Sequence, residues 1–261
     1  VMRILEHGQG QSRTLLFFPC TAEPVWAFED TIALLSGKWH VFQVVYDGHQ
    51  PEYPGDFTSV EQTVEEVCQS LRERGVFRLD AAYGCSMGGA CLIRLLALGE
   101  IPVDRAIIDG GITPYPFPYP VRKMLLLRDV VSFKIAANNR DVLEAVFPPE
   151  RFTPVGHDAV KEYNAMEAYL KTFSTRTVCN VFWSANNYRL PQRPAPMDTK
   201  LTYWYGDDEK MDRKRDIRFI KRYFPQVRIH GIPKMAHGEL VMVHPEEFCR
   251  YAEKFLSSGH D

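Results

Sequence analysis

The sequence predicts an α/β fold in which a mostly parallel sheet is covered by helices on both faces. Short runs rich in β-branched and aromatic residues alternate along the chain with longer helical patterns, as parallel strands joined by crossover helices require. These runs are almost continuously apolar, which is typical of strands buried on both faces of a sheet. The predicted strands are 14–18, 40–46, 79–83, 105–109, 200–205 and 227–230.

Helical patterns occupy most of the intervals between the predicted strands. Gly75 and Gly99 directly follow two of these patterns, and glycine is favoured just past a helix end because it adopts left-handed backbone angles easily. Pro225 follows another pattern, and proline cannot continue a helix. The predicted helices of this region are 26–35, 59–74, 87–98, 212–223 and 245–256.

The segment 112–198 interrupts the alternation, because it contains no convincing strand. It opens with alternating prolines that disfavour both a helix and a central strand, and a second proline cluster closes it. Open sheets bind ligands at the carboxyl ends of their strands, and long insertions are usually functional. We therefore interpret 1–111 and 199–261 as the core and 112–198 as a helical cap; an insertion that only enlarges the core is the alternative. Amphipathic stretches are predicted near 122–137, 141–147, 158–172 and 177–184.

The composition indicates a protein that acts on a small molecule. The 261 residues include 31 basic and 33 acidic side chains, and the resulting net charge of −2 provides no field to hold a nucleic-acid backbone or an anionic membrane. No stretch approaches the roughly 20 apolar residues that span a bilayer, and the first residues lack the apolar core of a signal peptide. The six cysteines include no Cys-x-x-Cys pair, so we expect reduced thiols in a cytoplasmic protein.

The most informative motif is GCSMGG at 84–89, which directly follows a predicted strand and opens a predicted helix. In that context Gly-x-Ser-x-Gly is typical of a nucleophile elbow, where a sharp strand-to-helix turn holds the Ser86 hydroxyl clear of the sheet. A phosphate-binding loop requires Lys-Ser or Lys-Thr after its last glycine, whereas Ala90 follows here. A tight turn with an incidental serine is the remaining alternative. Cys85 is expected to be a buried side chain rather than a thiol nucleophile.

A serine nucleophile needs a base that takes its proton and an acid that orients the base. His237 lies in a loop between the last predicted strand and the last predicted helix, from which it can reach the elbow. We therefore predict that His237 is the base. His230 lies within the predicted strand and His244 at the entry to the helix, so we expect packing and capping roles for them.

The acid is expected after the predicted strand 200–205, where the chain reads GDDE at 206–209. Three carboxylates in a row usually form a solvated acidic turn, so the pattern alone selects none of them. Asp109, at the end of the preceding predicted strand, is a further candidate because it lies at the same carboxyl edge of the sheet.

The elbow in its strand–helix setting resembles the α/β-hydrolase superfamily, over about two-thirds of the chain, with 112–198 standing where that family carries its cap. Many members place the acid three residues after a glycine that closes the strand, which here selects Glu209. Most members have aspartate there, so Asp208 remains a candidate. The resemblance also implies an oxyanion hole formed by the N–H of Met87 and a second N–H from the loop after the strand 14–18. By position that second donor is Cys20 or Thr21, although the loop commonly reads His-Gly in the family.

Together these residues predict a serine hydrolase that cleaves a small or medium carboxylic ester through an acyl-serine intermediate, without a metal or organic cofactor. The same fold also supports carbon–carbon bond hydrolysis, lyase chemistry, acyl transfer or ligand binding with little turnover. Some aromatic side chains of the 112–198 segment are expected to line an apolar pocket, and the others to pack within the segment. These side chains are Tyr115, Phe117, Tyr119, Phe133, Phe147, Phe152, Tyr163, Tyr169, Phe173, Phe182, Trp183 and Tyr188.

Overall fold

The computed structural model describes residues 3–53 and 55–256, which form a seven-stranded, mostly parallel sheet. Its strands are β1 (Arg3–His7), β2 (Thr14–Phe18), β3 (His40–Val45), β4 (Leu79–Cys85), β5 (Val103–Asp109), β6 (Lys200–Gly206) and β7 (Arg228–Ile232). The strand order is β1-β3-β2-β4-β5-β6-β7. β1 pairs antiparallel with β3, and the other pairings in the sheet are parallel. The carboxyl ends of β2 and β4 to β7 therefore meet at one edge.

The predicted fold class is confirmed, because all six predicted strands are present as β2 to β7, with ends that differ by a residue or two. β1 was not predicted. Its sequence, RILEH, carries three polar or charged side chains, and Ile4 is its one fully buried residue. The strand lies at the edge of the sheet, where burial on both faces is not required. A continuous apolar run is therefore absent from it.

Helices cover the sheet and connect its strands. The predicted helix 26–35 begins as a 3₁₀ turn, Val25–Phe28, and continues as α1. At the end of α3, Gly99 takes a left-handed φ of +66° and its N–H donates to the carbonyl of Leu95, as predicted for a C-terminal glycine. The α-helices are α1 (Glu29–Ser36), α2 (Val60–Glu73), α3 (Met87–Leu98), α4 (Tyr119–Asn138), α5 (Arg140–Val146), α6 (Pro149–Phe152), α7 (Ala159–Leu170), α8 (Thr175–Ala185), α9 (Lys210–Tyr223), α10 (Glu239–Val243) and α11 (Pro245–Leu256).

The core has a separate layer on each face of the sheet. Strand β2 shows the division, because Leu16 and Phe18 pack in one apolar cluster while Leu15 and Phe17 pack in the other. The first cluster includes side chains of α2, α3 and α9, and the second includes side chains of α1 and α11. Each fully buried leucine or phenylalanine contributes about 1.5–3 kcal/mol relative to exposure. Burial on both faces explains the continuous apolar runs of the central strands.

Helices α4 to α8 lie between β5 and β6, and the described part of 112–198 contains no strand. α8 packs on the core, since Val181 and Ala185 belong to the same cluster as the sheet residues. Side chains of α4, α5 and α7 form a cluster of their own. That this segment is a cap separate from the core stays a prediction. None of the described helices has both the length and the apolar character needed to cross a membrane.

Candidate active site

Ser86 occupies the turn between β4 and α3. Its backbone angles are φ +56° and ψ −117°, a region that residues other than glycine avoid. Its N–H donates to the carbonyl of Asp109 at 2.9 Å, and its own carbonyl accepts from the N–H groups of Ala90 and Ile112 at 3.2 and 3.3 Å. These bonds from both neighbouring segments hold the strained turn in place. The residue is 8% exposed and lies at the carboxyl edge of the sheet.

Close backbone contacts require the three glycines around Ser86. A Cβ on Gly84 would lie 2.4 Å from the carbonyl oxygen of Gly88, and a Cβ on Gly88 would lie 2.3 Å from that of Phe18. A Cβ on Gly89 would lie 2.4 Å from Cα of Gly111. Non-bonded carbon atoms in favourable contact are about 3.5–4.0 Å apart, so any side chain at these positions would force backbone segments apart. The motif at 84–89 therefore reflects the tight packing of a strand, a helix start and two loops.

His237 lies in the loop between β7 and α10 and contacts Glu209, which follows β6. Nδ1 of His237 lies 2.8 Å from Oε2 of Glu209. Oε1 of Glu209 accepts the N–H of Gly206 at 3.2 Å, and Nε of Arg213 lies 2.9 Å from Oε2. Burial raises the pKa of Glu209, but the hydrogen bond from His237 and the charges of His237 and Arg213 outweigh it and leave the pKa below its usual value. Because an ionised carboxylate only accepts, Nδ1 carries the shared proton and Nε2 is left to accept another.

Gly110 links the two halves of the site. It follows Asp109, whose carbonyl holds the Ser86 N–H, and its backbone takes a left-handed φ of +53°. A Cβ on Gly110 would lie 2.7 Å from both Cε1 and Nδ1 of His237 and 3.1 Å from Oε1 of Glu209. The imidazole therefore lies against the Gly110 backbone, one residue from the bond that holds Ser86. Strand β5 thus brings the serine turn and the His237–Glu209 pair to the same edge of the sheet.

The other two carboxylates that the sequence left open have different partners. Oδ2 of Asp208 lies 2.6 Å from Nη2 of Arg151, and the Asp208 side chain is half exposed. Asp109 is buried and accepts a hydrogen bond from the Tyr83 hydroxyl at 2.7 Å. Burial raises the pKa of Asp109 to about 6. Of the three candidates, Glu209 is the carboxylate in contact with His237.

His230 and His244, the other two histidines considered in the sequence, also have other neighbours. His230 lies in β7 against the rings of Trp204 and Tyr251. Nε2 of His244 lies 3.5 Å from Oε1 of Glu239. The structure therefore places neither of them in contact with Glu209.

The predicted backbone donors lie around the start of α3. Met87 is the first residue of that helix, where N–H groups have no partner within the helix and the helix dipole is positive. The loop that carries Cys20 and Thr21 is pressed against the same helix start, because the carbonyl of Pro19 approaches Gly88 closely. The Tyr46 hydroxyl donates to the Pro19 carbonyl at 2.9 Å and fixes the loop there. Both candidate segments of an oxyanion hole thus lie beside the Ser86 turn.

Cys85 is fully buried, and its Sγ lies 2.8 Å from Sγ of Cys20, both being free thiols. The contact with the Cys20 thiol and burial raise the pKa of Cys85 well above its usual value. A thiol needs to ionise before it attacks a carbonyl. Cys85 is therefore a packed, protonated side chain behind the serine turn.

His49 supports the loop after β2, and sequence reasoning missed it. Burial lowers the pKa of His49 to about 4, so the ring is neutral near pH 7. Its Nδ1 donates to the carbonyl of Asp47 at 3.1 Å, which leaves Nε2 to accept the Thr21 hydroxyl at 2.8 Å. No local motif marks this role, because Thr21 and His49 meet only through the pairing of β2 with β3.

A cavity of about 430 Å³ lies beside His237. Its walls are the segment after β2, helices α4 to α8 with their connections, and Met242 of α10. Sequence reasoning missed Glu23, which also lines the cavity. Within the described residues, no group of three or more His, Cys, Asp or Glu side chains could hold a metal ion. Of the aromatic side chains predicted for a pocket, those that line the cavity are Phe133, Phe147, Phe152, Tyr163 and Phe182.

The sequence matches a model of a known protein family. A family model described as "Alpha/beta hydrolase family" matches residues 5–251. No curated protein matches the chain in sequence.

Several solved structures share the fold. An alpha/beta hydrolase family protein from Desulfitobacterium hafniense superposes with a TM-score of 0.77 at 17% identity, covering 97% of this chain and all (100%) of the other. An esterase from Exiguobacterium antarcticum has a TM-score of 0.72 at 13% identity, covering 98% of this chain and 96% of the other. A structure from a study of carboxylesterases of Nitrososphaera gargenis has a TM-score of 0.69 at 15% identity, with coverage of 98% and 94%. At such low identity these likenesses show the fold alone.

Proposed function

The chain belongs to the alpha/beta hydrolase family, and we propose that it is a serine hydrolase that cleaves a carboxylic ester through an acyl-serine intermediate. The observation that carries the proposal is the contact of His237 with both Glu209 and the Gly110 backbone, next to the strained turn of Ser86. A nucleophile, a base and an orienting carboxylate are the groups that acyl transfer requires.

In the first half of the reaction, Oγ of Ser86 attacks the ester carbonyl carbon and Nε2 of His237 takes the hydroxyl proton. Glu209 holds the imidazole through Nδ1 and stabilises the positive charge that forms on the ring. The lowered pKa of Glu209 keeps this group ionised near pH 7. His237 then gives the proton to the departing alkoxide, and the acyl group remains on Ser86.

In the second half, water replaces the alcohol. Nε2 of His237 removes a proton from the water as it attacks the acyl carbon, and then returns that proton to Oγ as the acid leaves. The N–H of Met87 and that of Cys20 or Thr21 hold the negative oxygen of both tetrahedral intermediates. One such donor is worth on the order of 10²–10³ in rate. Both candidate donor segments lie beside the strained turn that carries Ser86.

We propose that the segment 112–198 acts as the cap of this site. The helices α4 to α8 provide most of the wall of the cavity beside His237, and that wall is rich in aromatic side chains. An apolar cavity of this size suits an ester of small or medium length. Closure over the site would also exclude water until the acyl-serine forms.

The test is labelling with a fluorophosphonate, which reacts with an activated serine, together with hydrolysis of p-nitrophenyl esters. We expect the wild-type protein to be labelled and to hydrolyse esters, and Ser86→Ala to lose both. Cys85→Ala is the matched control, because it removes the neighbouring thiol and leaves the serine. Labelling that persists in Ser86→Ala, or a wild-type protein that the probe does not label, would overturn the proposal.

A further inference from the structure

Among the residues that the structure describes, the cavity beside His237 is lined by several acidic side chains and by no lysine or arginine. Four acidic side chains line it, whereas no lysine or arginine is among its described lining residues. The basic side chains at its wall are two histidines, His157 and His237. Such a surface attracts positive charge and repels negative charge. The acidic side chains are Glu23, Asp30, Asp129 and Glu162.

Three of these carboxylates already have basic partners. Oδ2 of Asp30 lies 3.1 Å from Nε2 of His157, and Glu162 contacts Nδ1 of the same ring. The hydrogen bond to Glu162 and the charges of both carboxylates raise the pKa of His157 above its usual value. Asp129 is paired with the guanidinium of Arg128 at 2.7 Å. These pairs leave little need for a further cation.

Glu23 is the exception. Among the described residues, none forms a hydrogen bond or ion pair with its side chain. Burial raises the pKa of Glu23 to about 8, with no neighbouring group to lower it. Near pH 7 a carboxyl group with this pKa is mostly protonated, because its ionised form is costly in an apolar wall unless something else compensates the charge. A ligand in the cavity is the group that can do so.

The backbone holds Glu23 firmly at this position. The preceding residue, Ala22, takes a left-handed φ of +60°, which residues with a Cβ adopt rarely. The carbonyl of Glu23 accepts the hydroxyl of Tyr169, on α7, at 3.0 Å. The left-handed turn at Ala22 and the hydrogen bond from Tyr169 therefore hold the Glu23 backbone between the loop after β2 and the helical segment. A specific ligand contact is a reason to hold a carboxylate in this way.

Aromatic rings share the cavity with Glu23. Trp26, Phe133 and Tyr163 line it. Burial and the nearby charge of Glu23 raise the pKa of Tyr163 to about 12. Aromatic faces attract a cation through their quadrupole, and trimethylammonium groups bind well to such rings. A carboxylate among aromatic faces is therefore a suitable setting for an ammonium group.

We infer that the ester hydrolysed at this site carries an ammonium group, and that Glu23 with the surrounding rings binds it in the cavity. The inference rests on the proposed function for its catalytic step, while the cation site depends on the cavity alone. An apolar neutral substrate would leave Glu23 without a partner, and an anionic one would meet four acidic side chains. An ammonium group compensates the one carboxylate of this cavity that the described residues leave unpaired.

The experiment compares two esters of identical shape, one ending in a trimethylammonium group and the other in a tert-butyl group. Two such pairs are used, with the end group on the alcohol side or on the acyl side. We expect wild-type kcat/KM to favour the cation in one pair by about ten- to hundred-fold, as a carboxylate combined with desolvated cation–π contacts provides. In Glu23→Gln the ratio should fall several-fold, because only the aromatic rings of the cavity then favour the cation. Asp129→Asn is the matched control, since its carboxylate is already paired, and it should keep the wild-type ratio.

Binding of the tetramethylammonium ion to Ser86→Ala, measured by calorimetry, separates this inference from the proposed function. We expect binding that weakens several-fold when Glu23→Gln is added. If neither ester is hydrolysed but this binding holds, the hydrolase proposal fails and the cation site stands. If the wild-type protein hydrolyses both esters of each pair equally, or Glu23→Gln keeps the preference, the cation site is overturned and the hydrolase stands. A melting curve of Glu23→Gln that matches the wild-type curve shows that the fold is intact.

Discussion

Gly110→Ala is expected to disable the site although it replaces none of the proposed reacting groups. The added Cβ would lie 2.7 Å from Cε1 and Nδ1 of His237 and 3.1 Å from Oε1 of Glu209. Carbon atoms in favourable contact are about 3.5–4.0 Å apart, so the imidazole has to move by roughly 1 Å. Glu209 lies close to the same Cβ and restricts how far the imidazole can move. The shift therefore weakens the Nδ1 bond and, in the proposed mechanism, moves Nε2 away from Oγ of Ser86.

A misplacement of about 1 Å in a catalytic group costs on the order of 10² in rate. We therefore expect kcat for a p-nitrophenyl ester to fall about 100-fold in Gly110→Ala, with a smaller change in KM. The alanine also has to adopt the φ of +53° found at this position, which costs roughly 1–2 kcal/mol of stability. Urea unfolding measures that second effect separately.

Gly75→Ala is the matched control for the backbone cost. Gly75 also has a left-handed φ, +75°, but a Cβ there would meet no atom within 4 Å. Gly75→Ala should lose only the stability that the left-handed backbone costs, whereas Gly110→Ala should lose at least as much stability and also lose activity. Equal kcat values in the two variants would refute the placement of His237 as the base.

Two further predictions concern Glu209 and His49. In Glu209→Gln, kcat should fall on the order of 10⁴-fold because the imidazole loses the acceptor that sets its tautomer. The partner of Asp208 is Arg151, so kcat of Asp208→Asn should stay within a few-fold of the wild-type value. The reverse ranking in an ester assay would make Asp208 the acid. The folded-state pKa of His49, about 4, lies below its usual value of 6.5, so the unfolded chain binds the proton first as the pH falls. Stability is therefore complete above pH 6.5 and is lost by up to about 3 kcal/mol towards pH 4. Urea unfolding from pH 7 to 4 should show a flatter profile for His49→Gln, and equal slopes would contradict a buried neutral ring.

The sheet and the serine turn could be predicted because their signals are local. A strand buried on both faces must be apolar along its length, and residues 79–83 satisfy this before the motif begins. The glycines at 84, 88 and 89 follow from contacts within a short stretch of chain and its immediate neighbours. The edge strand β1 was not predicted, because its sequence has almost no apolar pattern: Ile4 is its one buried side chain.

The partner of His237 could not be chosen from the sequence. Asp208 and Glu209 are adjacent and chemically similar, and each lies in the 3₁₀ turn after β6. That turn directs Glu209 to the imidazole and Asp208 to Arg151, which comes from α6, far away in the chain. The difference depends on the angle between two consecutive side chains, which only the packed turn determines. The catalytic roles of these residues stay predictions until the variants are measured.

By itself, the sequence determined the fold class, the family resemblance and the position of the candidate nucleophile, because each depends on patterns spanning a few neighbouring residues. The tertiary structure decided which carboxylate meets His237, how His49 supports Thr21, and that Glu23 lies unpaired in an aromatic cavity. These features join residues that are distant along the chain. Their energies arise from burial and close contact, and both exist only once the sheet and the helices have packed together.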